Sequence, residues 1–399
     1  DLYVAFRDKP NVLFRNDGGH FTDVAPSLGL ADPRKSVGGT WFDMDGDGDL
    51  DFAGAAADSG LYLYFNNGAG VFSGSMFRHP SLAGYKSIKL VDLDGDQDLD
   101  IVGFGYGAEV QWNNGAGQFT PALFAPVSQY LFGITRVGDY DGDGDIDLLS
   151  CNSGPEWSFL YLNDSAQHFV LVTGDAMADR TRYLNTFVDV DGDQDLDMLS
   201  DFAGTLNLSI NRGYGEFVAA TASQWPSPQG NASGLCNPVV ADFDGDQDLD
   251  IVYRGRLLRG DGRGNYATAA NAIPANVGLG TMVAGDVDRD GDQDLILCVA
   301  GGVGPTRPYL LWINQGTGAF VDASANMPVS LPSGIGGAVL ADLDGDGDLD
   351  LVSCPSGGSC LMMTNNGTGV FADATTRLPP NTGPSYDVAA GDLDRDGDI

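Results

Sequence analysis

The sequence predicts an all-β fold, a β-propeller of eight four-stranded antiparallel blades. Two recurring stretches predict it. The first is an acidic run of the form D-x-D-x-D-x-D-x-D. It begins at Asp43, Asp92, Asp139, Asp189, Asp242, Asp286 and Asp342, and an eighth copy from Asp392 ends at Ile399, one residue short of its ninth position. The starts lie 44 to 56 residues apart, and a near-constant period of that size marks a repeat array. The second is a short turn ending in an aromatic residue, as in "NNGAGVF" (66–72), "NNGAGQF" (113–119) and "NNGTGVF" (365–371). Asn-Gly and Gly-x-Gly tolerate positive φ and favour tight hairpins.

Each period then reads as four strands. The first leads into the acidic run ("GGAVLAD") and the second leaves it ("LDLVS"). The third leads into the turn, as "LYLYF" does before Asn66 and "FLYL" before Asn163, and the fourth follows the turn. These apolar runs are too short for most helices and are bounded by turn residues. Repeated four-stranded antiparallel units are propeller blades, with the acidic loop between strands one and two. No linker interrupts the array, so residues 1–399 read as a single propeller. A ring needs a clasp, because an open one exposes two strand edges. The closing blade is therefore expected to combine about 1–24 with 386–399, and Asp1 to supply the missing ninth position of the last loop.

The net charge of −36 is local. The runs hold 39 carboxylates, or 40 with Asp1, which leaves 16 acidic residues against 20 Lys and Arg. The frame outside the loops is near neutral, and no basic patch is present for nucleic acid. Crowded like charge is most simply explained by a cation between the carboxylates. The candidate ligands are Asp43, Asp45, Asp47, Asp49 and Asp51; Asp92, Asp94, Asp96, Asp98 and Asp100; Asp139, Asp141, Asp143, Asp145 and Asp147; Asp189, Asp191, Asp193, Asp195 and Asp197; Asp242, Asp244, Asp246, Asp248 and Asp250; Asp286, Asp288, Asp290, Asp292 and Asp294; Asp342, Asp344, Asp346, Asp348 and Asp350; and Asp392, Asp394, Asp396, Asp398 and Asp1. Hard oxygen donors suit Ca²⁺, which takes roughly six to eight of them. Transition metals prefer His or Cys, and the loops have neither. Up to eight Ca²⁺ ions are expected. An EF-hand is excluded, since Gly54 and Gly103 stand where it needs Glu.

The loops followed by an apolar strand resemble the calcium loops of FG-GAP/VCBS repeats, which build the propellers of integrin α subunits and of many secreted bacterial proteins. "LFRNDGGHFTDVAPSLGL" with "WFDMDGDGDLDF" is also similar to cartilage acidic protein-type repeats. The resemblance covers essentially the whole chain. It implies side-chain ligation from positions one, three, five and nine and a backbone carbonyl from position seven. In the first loop these are Asp43, Asp45, Asp47 and Asp51, with the carbonyl of Asp49. The sequence departs from the family at position six, where Gln97, Gln194 and Gln247 replace Gly. Those loops either strain there or turn on Gly95, Gly192 and Gly245. Arg289 and Arg395 stand at position four. Integrin propellers are described with seven blades, so seven in the ring with one repeat outside is the alternative.

Several other features have plain readings. "RGD" at 259–261 falls in a hairpin turn. Asn163, Asn207, Asn231 and Asn366 satisfy N-x-S/T, two of them as turn residues. Cys354 and Cys360 flank a short turn, where either a hairpin disulfide or two buried thiols fits; with five Cys, at least one stays unpaired. No apolar run approaches the ~18 residues that span a bilayer, so no transmembrane segment is expected. His20 and His168 share one hairpin register, and no nucleophile arrangement stands out.

The expected function is that of a secreted or cell-surface, Ca²⁺-stabilised adhesion or structural-assembly module, non-enzymatic and suited to a surface fibre. Its partner would be a protein, a glycan or another copy, bound on the face opposite the Asp loops, where the connections vary most. Trp157 and Trp225 are candidate anchors there, with core packing the alternative. A propeller polysaccharide lyase and a lectin are the alternative functions. The lyase needs a base beyond Lys9, Lys35, Lys86 and Lys89; the lectin needs a recurring aromatic-plus-polar set.

Overall fold

A computed structural model describes residues 2–4, 10–16, 20–31, 36–56, 60–68, 71–77, 87–104, 108–125, 135–150, 159–164, 167–172, 185–202, 205–226, 238–274, 280–299, 307–329, 331–332, 336–355, 358–378 and 388–390. The fold is an all-β propeller, and the described strands form eight four-stranded antiparallel sheets. They divide into two compact units of four sheets each, residues 34–229 and residues 1–33 with 230–399.

In the contiguous unit the first sheet runs through Ser36–Phe42, Asp51–Ala56, Gly60–Asn66 and Phe72–Phe77 in chain order. The next three repeat this plan from Ser87, Thr135 and Asn185. In the other unit, three sheets starting at Val239, Gly280 and Gly336 follow it again. The fourth joins distant segments. Phe21–Asp23, Val12–Asn16 and Leu2–Val4 lie in that order, and Leu2–Val4 pairs antiparallel with Ala389–Ala390, Leu2 opposite Ala390. One helical turn, Ala25–Leu28, and two short 3-10 turns are the helical elements among the described residues.

The second strand of each of the other seven sheets begins at the ninth Asp of its acidic run, at Asp51, Asp100, Asp147, Asp197, Asp250, Asp294 and Asp350. These strands are buried on both faces, as in "DLILCV" (294–299) and "DLVSCP" (350–355). That explains their continuous apolar character, in contrast to the alternation of a half-exposed strand. Neighbouring sheets pack face to face. Leu61 and Leu63 of one sheet meet Ile101 and Leu90 of the next, and Val252 and Leu257 meet Leu295 and Trp312. The packing fixes each strand pair and so aims the loop between its first two strands.

Trp225 is not an exposed anchor. It is 5 % exposed, and its Nε1 donates to the carbonyl of Leu206 at 2.9 Å. That bond ties it to the strand Thr205–Asn211. Trp157 lies outside the described residues, as do Lys9, Lys35, Lys86, His79, Asn231, Cys151 and Cys236. Cys354 and Cys360 form a disulfide, and Cys298 is a free, buried thiol.

Candidate metal centre

Seven of the eight acidic loops are described; Asp1 and the loop carrying Asp392, Asp394, Asp396 and Asp398 lie outside the described residues. The seven share one construction. The backbone turns left-handed twice, at positions four and six. In the first loop these are Gly46 and Gly48, at φ 73° and 93°. Both turns aim N–H groups at the first Asp. Gly46 N–H donates to Asp43 Oδ1 at 2.8 Å and Gly48 N–H to Asp43 Oδ2 at 2.9 Å. The fifth residue ties down the seventh, with Asp49 N–H donating to Asp47 Oδ1 at 2.9 Å. The same pattern holds in the Asp92 loop, through Gly95, Gln97 and Asp98.

Gln97, Gln194 and Gln247 adopt φ of 77°, 77° and 74°, so each takes the left-handed turn itself. Gly95, Gly192 and Gly245 keep their own turn at position four. Arg289 takes that position-four turn at φ 64° in the Asp286 loop. An L-residue held there is strained by about 1 kcal/mol.

The ninth Asp is the buried anchor. Its exposure is 0 or 1 % in all seven loops, and it accepts two backbone bonds. Asp100 Oδ2 accepts from Leu93 N–H at 3.0 Å, and Oδ1 from Asn113 N–H at 2.8 Å. Burial pushes Asp100, Asp147, Asp197 and Asp294 up to about 7. It pushes Asp51, Asp250 and Asp350 up to about 6. The backbone donors oppose that shift without cancelling it, and neighbouring carboxylates add to it. Positive charge nearby would favour their ionised form.

The third Asp tests directly whether the residues fit a metal. Its Oδ1 is buried and without a hydrogen-bond partner in six loops, at Asp45, Asp94, Asp191, Asp244, Asp288 and Asp344. A buried carboxylate oxygen left bare is expensive, and one recurring at a single register marks a place for a cation. Acidic oxygens converge around it. The triads Asp43–Asp45–Asp51, Asp92–Asp94–Asp96, Asp139–Asp141–Asp147, Asp189–Asp191–Asp197 and Asp242–Asp244–Asp246 each bring ligand atoms within 4.8 Å of one another, and two further groups do the same. Each triad can hold a metal ion.

The seventh Asp turns away. A Cβ built on Gly115 of the neighbouring hairpin would stand 2.8 Å from the Asp98 Cγ, closer still to its oxygens. Gly68 and Asp49, Gly262 and Asp248, Gly316 and Asp292, and Gly367 and Asp348 are in the same relation. The hairpin glycine thus makes room for this side chain against the turn, which leaves the residue's carbonyl to the loop.

Three arginines reach into the loops; Arg289 is expected there from its place at position four, whereas nothing local in the sequence points to Arg259 or Arg377. Arg377 Nη1 lies 2.9 Å from Asp344 Oδ2, and Arg259 Nε 3.4 Å from Asp244 Oδ2. Arg289 bridges from its own loop to Asp348 and to the carbonyl of Asp346. Arg259 also donates to the carbonyl of Thr317. The arginine of the RGD tripeptide is therefore engaged within the fold. Asn163 is equally committed, at 3 % exposure.

Among the described residues, no helix is long and apolar enough to cross a membrane. The fold is shared with a lectin from Agrocybe aegerita that recognises non-reducing terminal N-acetylglucosamine, at 18 % identity and a TM-score of 0.51, over 99 % of this chain and 95 % of that one. The Vibrio cholerae biofilm matrix protein Bap1 aligns at 12 % identity and 0.47, over 99 % and 87 %. A Bacillus licheniformis rhamnogalacturonan lyase aligns at 16 % and 0.43, over 87 % and 57 %. No curated protein matches in sequence. The FG-GAP-like repeat matches residues 1–54, 43–103, 92–150, 139–200, 189–253, 298–353 and 342–399. With those seven stretches covering most of its length, the chain belongs to the FG-GAP-like repeat family.

Proposed function

We propose that this chain is a Ca²⁺-stabilised propeller that works outside the cytosol as an adhesion or assembly module. The observation that carries the reading is the bare, buried Oδ1 of the third Asp, repeated in six loops. Carboxylate and carbonyl oxygens are the donors Ca²⁺ prefers. Bound there, the ion would neutralise the converging carboxylates and fill their open coordination. In each loop the first, third, fifth and ninth Asp would hold it by side chain and the seventh by its carbonyl. An eighth site would combine Asp392, Asp394, Asp396 and the Asp398 carbonyl with Asp1.

Extracellular Ca²⁺ is abundant enough to fill sites of modest affinity, and the Cys354–Cys360 disulfide suits an oxidising compartment. The free thiol is no nucleophile, since burial pushes Cys298 up to about 12. A protein, glycan or second copy would bind the face opposite the Asp loops.

The test is thermal unfolding in EGTA and in about 1 mM Ca²⁺. A Kd near 0.1 mM per loop gives about 1.4 kcal/mol per site. The four loops of unit 34–229 then contribute about 6 kcal/mol in all. An unchanged midpoint overturns the calcium reading. Release of unsaturated sugar from acidic polysaccharides overturns the binding-module reading and favours a lyase.

A further inference from the structure

In five blades the asparagine that opens the hairpin turn touches two acidic loops at once: Asn113, Asn163, Asn211, Asn314 and Asn365. Asn163 is the clearest case. Its backbone N–H donates to Oδ1 of Asp147, the ninth Asp of its own loop, at 2.8 Å. Its side-chain Nδ2 reaches back to the preceding loop and donates to the carbonyl of Leu93 at 2.6 Å. Leu93 is the second residue of that loop, and its N–H holds Oδ2 of Asp100, the ninth Asp there, at 3.0 Å.

The pattern repeats without a break across four loops of unit 34–229. Asp51 is held by Met44 N–H at 2.8 Å, and the Met44 carbonyl accepts from Asn113 Nδ2 at 3.1 Å. Asn113 N–H holds Asp100. After Asn163, the relay continues from Asp147 through Tyr140 to Asn211, at 2.7 and 2.9 Å, and Asn211 N–H holds Asp197 at 2.7 Å. In the other unit it links Asp250, Phe243, Asn314 and Asp294, then Val287, Asn365 and Asp350. Every step lies between buried groups, where a hydrogen bond is least weakened by water.

We propose that the turn asparagine is a positioning residue that couples ion binding in adjacent loops, so that filling one loop favours filling the next. The proposal rests on the Ca²⁺ reading above. An ion that orders the ninth Asp of one loop fixes the second residue of that loop. The neighbouring asparagine then sits in place, with its N–H already aimed at its own ninth Asp. The second loop binds at a smaller ordering cost, which is positive cooperativity. Gly260 occupies the same turn position in the Asp242 blade. It keeps the backbone bond to Asp250, at 2.9 Å, and has no side chain to reach further. The position therefore tolerates glycine, and the backbone and side-chain roles separate.

The experiment is a thermodynamic cycle read by hydrogen exchange during Ca²⁺ titration. Asp141→Asn disables the Asp139 loop, and protection is followed in the peptide spanning the Asp92 loop. In otherwise wild-type protein, the half-saturating Ca²⁺ for that peptide is expected to rise roughly three- to tenfold, the worth of about one hydrogen bond. In Asn163→Gly, which copies Gly260, Asp141→Asn is expected to leave it unchanged. A shift of equal size in both backgrounds, or none in the first, overturns the coupling while leaving the calcium reading intact. No Ca²⁺-dependent protection in any variant overturns the calcium reading and the coupling with it. Asn211→Gly with Asp191→Asn, read in the Asp139 loop, decides the matter if Asn163→Gly does not fold.

Discussion

Replacing Gly115 with Ala probes how the hairpin and the acidic loop share space. Gly115 has φ 68°, and a new methyl group would intrude on the Asp98 carboxylate. The left-handed backbone alone costs an L-residue about 1 to 2 kcal/mol. Ala recovers about 0.4 to 1 kcal/mol by stiffening the unfolded chain. Moving Asp98 off its rotamer adds about 0.5 to 1.5 kcal/mol. The net loss is about 0.5 to 3 kcal/mol, or a midpoint lower by roughly 1 to 12 °C for a unit of this size. Gly95→Ala is the matched control. Its φ is 75°, but nothing lies within 4 Å of the added methyl, so it bears the backbone term alone. Circular dichroism melts in Ca²⁺ read both variants. Adding Asp98→Ala should abolish the difference between them, in a double-mutant cycle. Equal losses for the two glycines, or no rescue by Asp98→Ala, would refute the assignment of the seventh side chain to the turn.

Three further outcomes follow from the site, the disulfide and the buried thiol. Because burial raises the ninth carboxylates to about 6 or 7, the metal-free native state binds more protons than the unfolded chain between about pH 4 and 7. Its stability is then greatest at low pH and falls as pH rises through that window; a urea midpoint in EGTA that instead rises from pH 5 to 8 contradicts this. With Ca²⁺ bound the carboxylates stay ionised, so the loss moves to acid pH, where protons displace the ion. Reducing Cys354–Cys360, six residues apart, should cost about 2 kcal/mol, read as a lower melting midpoint. Cys298 should react with maleimide only on unfolding; labelling under native conditions would contradict its burial.

Much of the architecture was legible because it repeats. The Asp runs fixed the loops, and the Asn-Gly turns fixed the hairpins between strands three and four. What stayed hidden is what crosses between repeats. The turn Asn reads as a residue chosen for its backbone, and nothing local shows that its side chain bonds a carbonyl some seventy positions earlier, as Asn163 does with Leu93. Gln97 could be assigned either strain or an alternative turn, because only φ distinguishes them. Arg259 read as part of a turn tripeptide, while its partners Asp244 and Thr317 lie far from it in sequence. Trp225 illustrates the reverse limit. A tryptophan in a variable connection is ambiguous until its burial is known.

The sheet that pairs Leu2–Val4 with Ala389–Ala390 sets an order of events during synthesis. Unit 34–229 is continuous, so all its sheets can form as soon as that stretch has left the ribosome. The other unit must wait. Its first three strands precede the continuous unit, yet the strand that covers Leu2–Val4 follows it. Until then that strand keeps a row of unpaired N–H and C=O groups, which invites pairing with the wrong chain. Its closure spans almost the whole described sequence, and contacts of such separation form slowly. A chaperone that shields this early edge would therefore raise the yield of native protein more than one acting on the continuous unit.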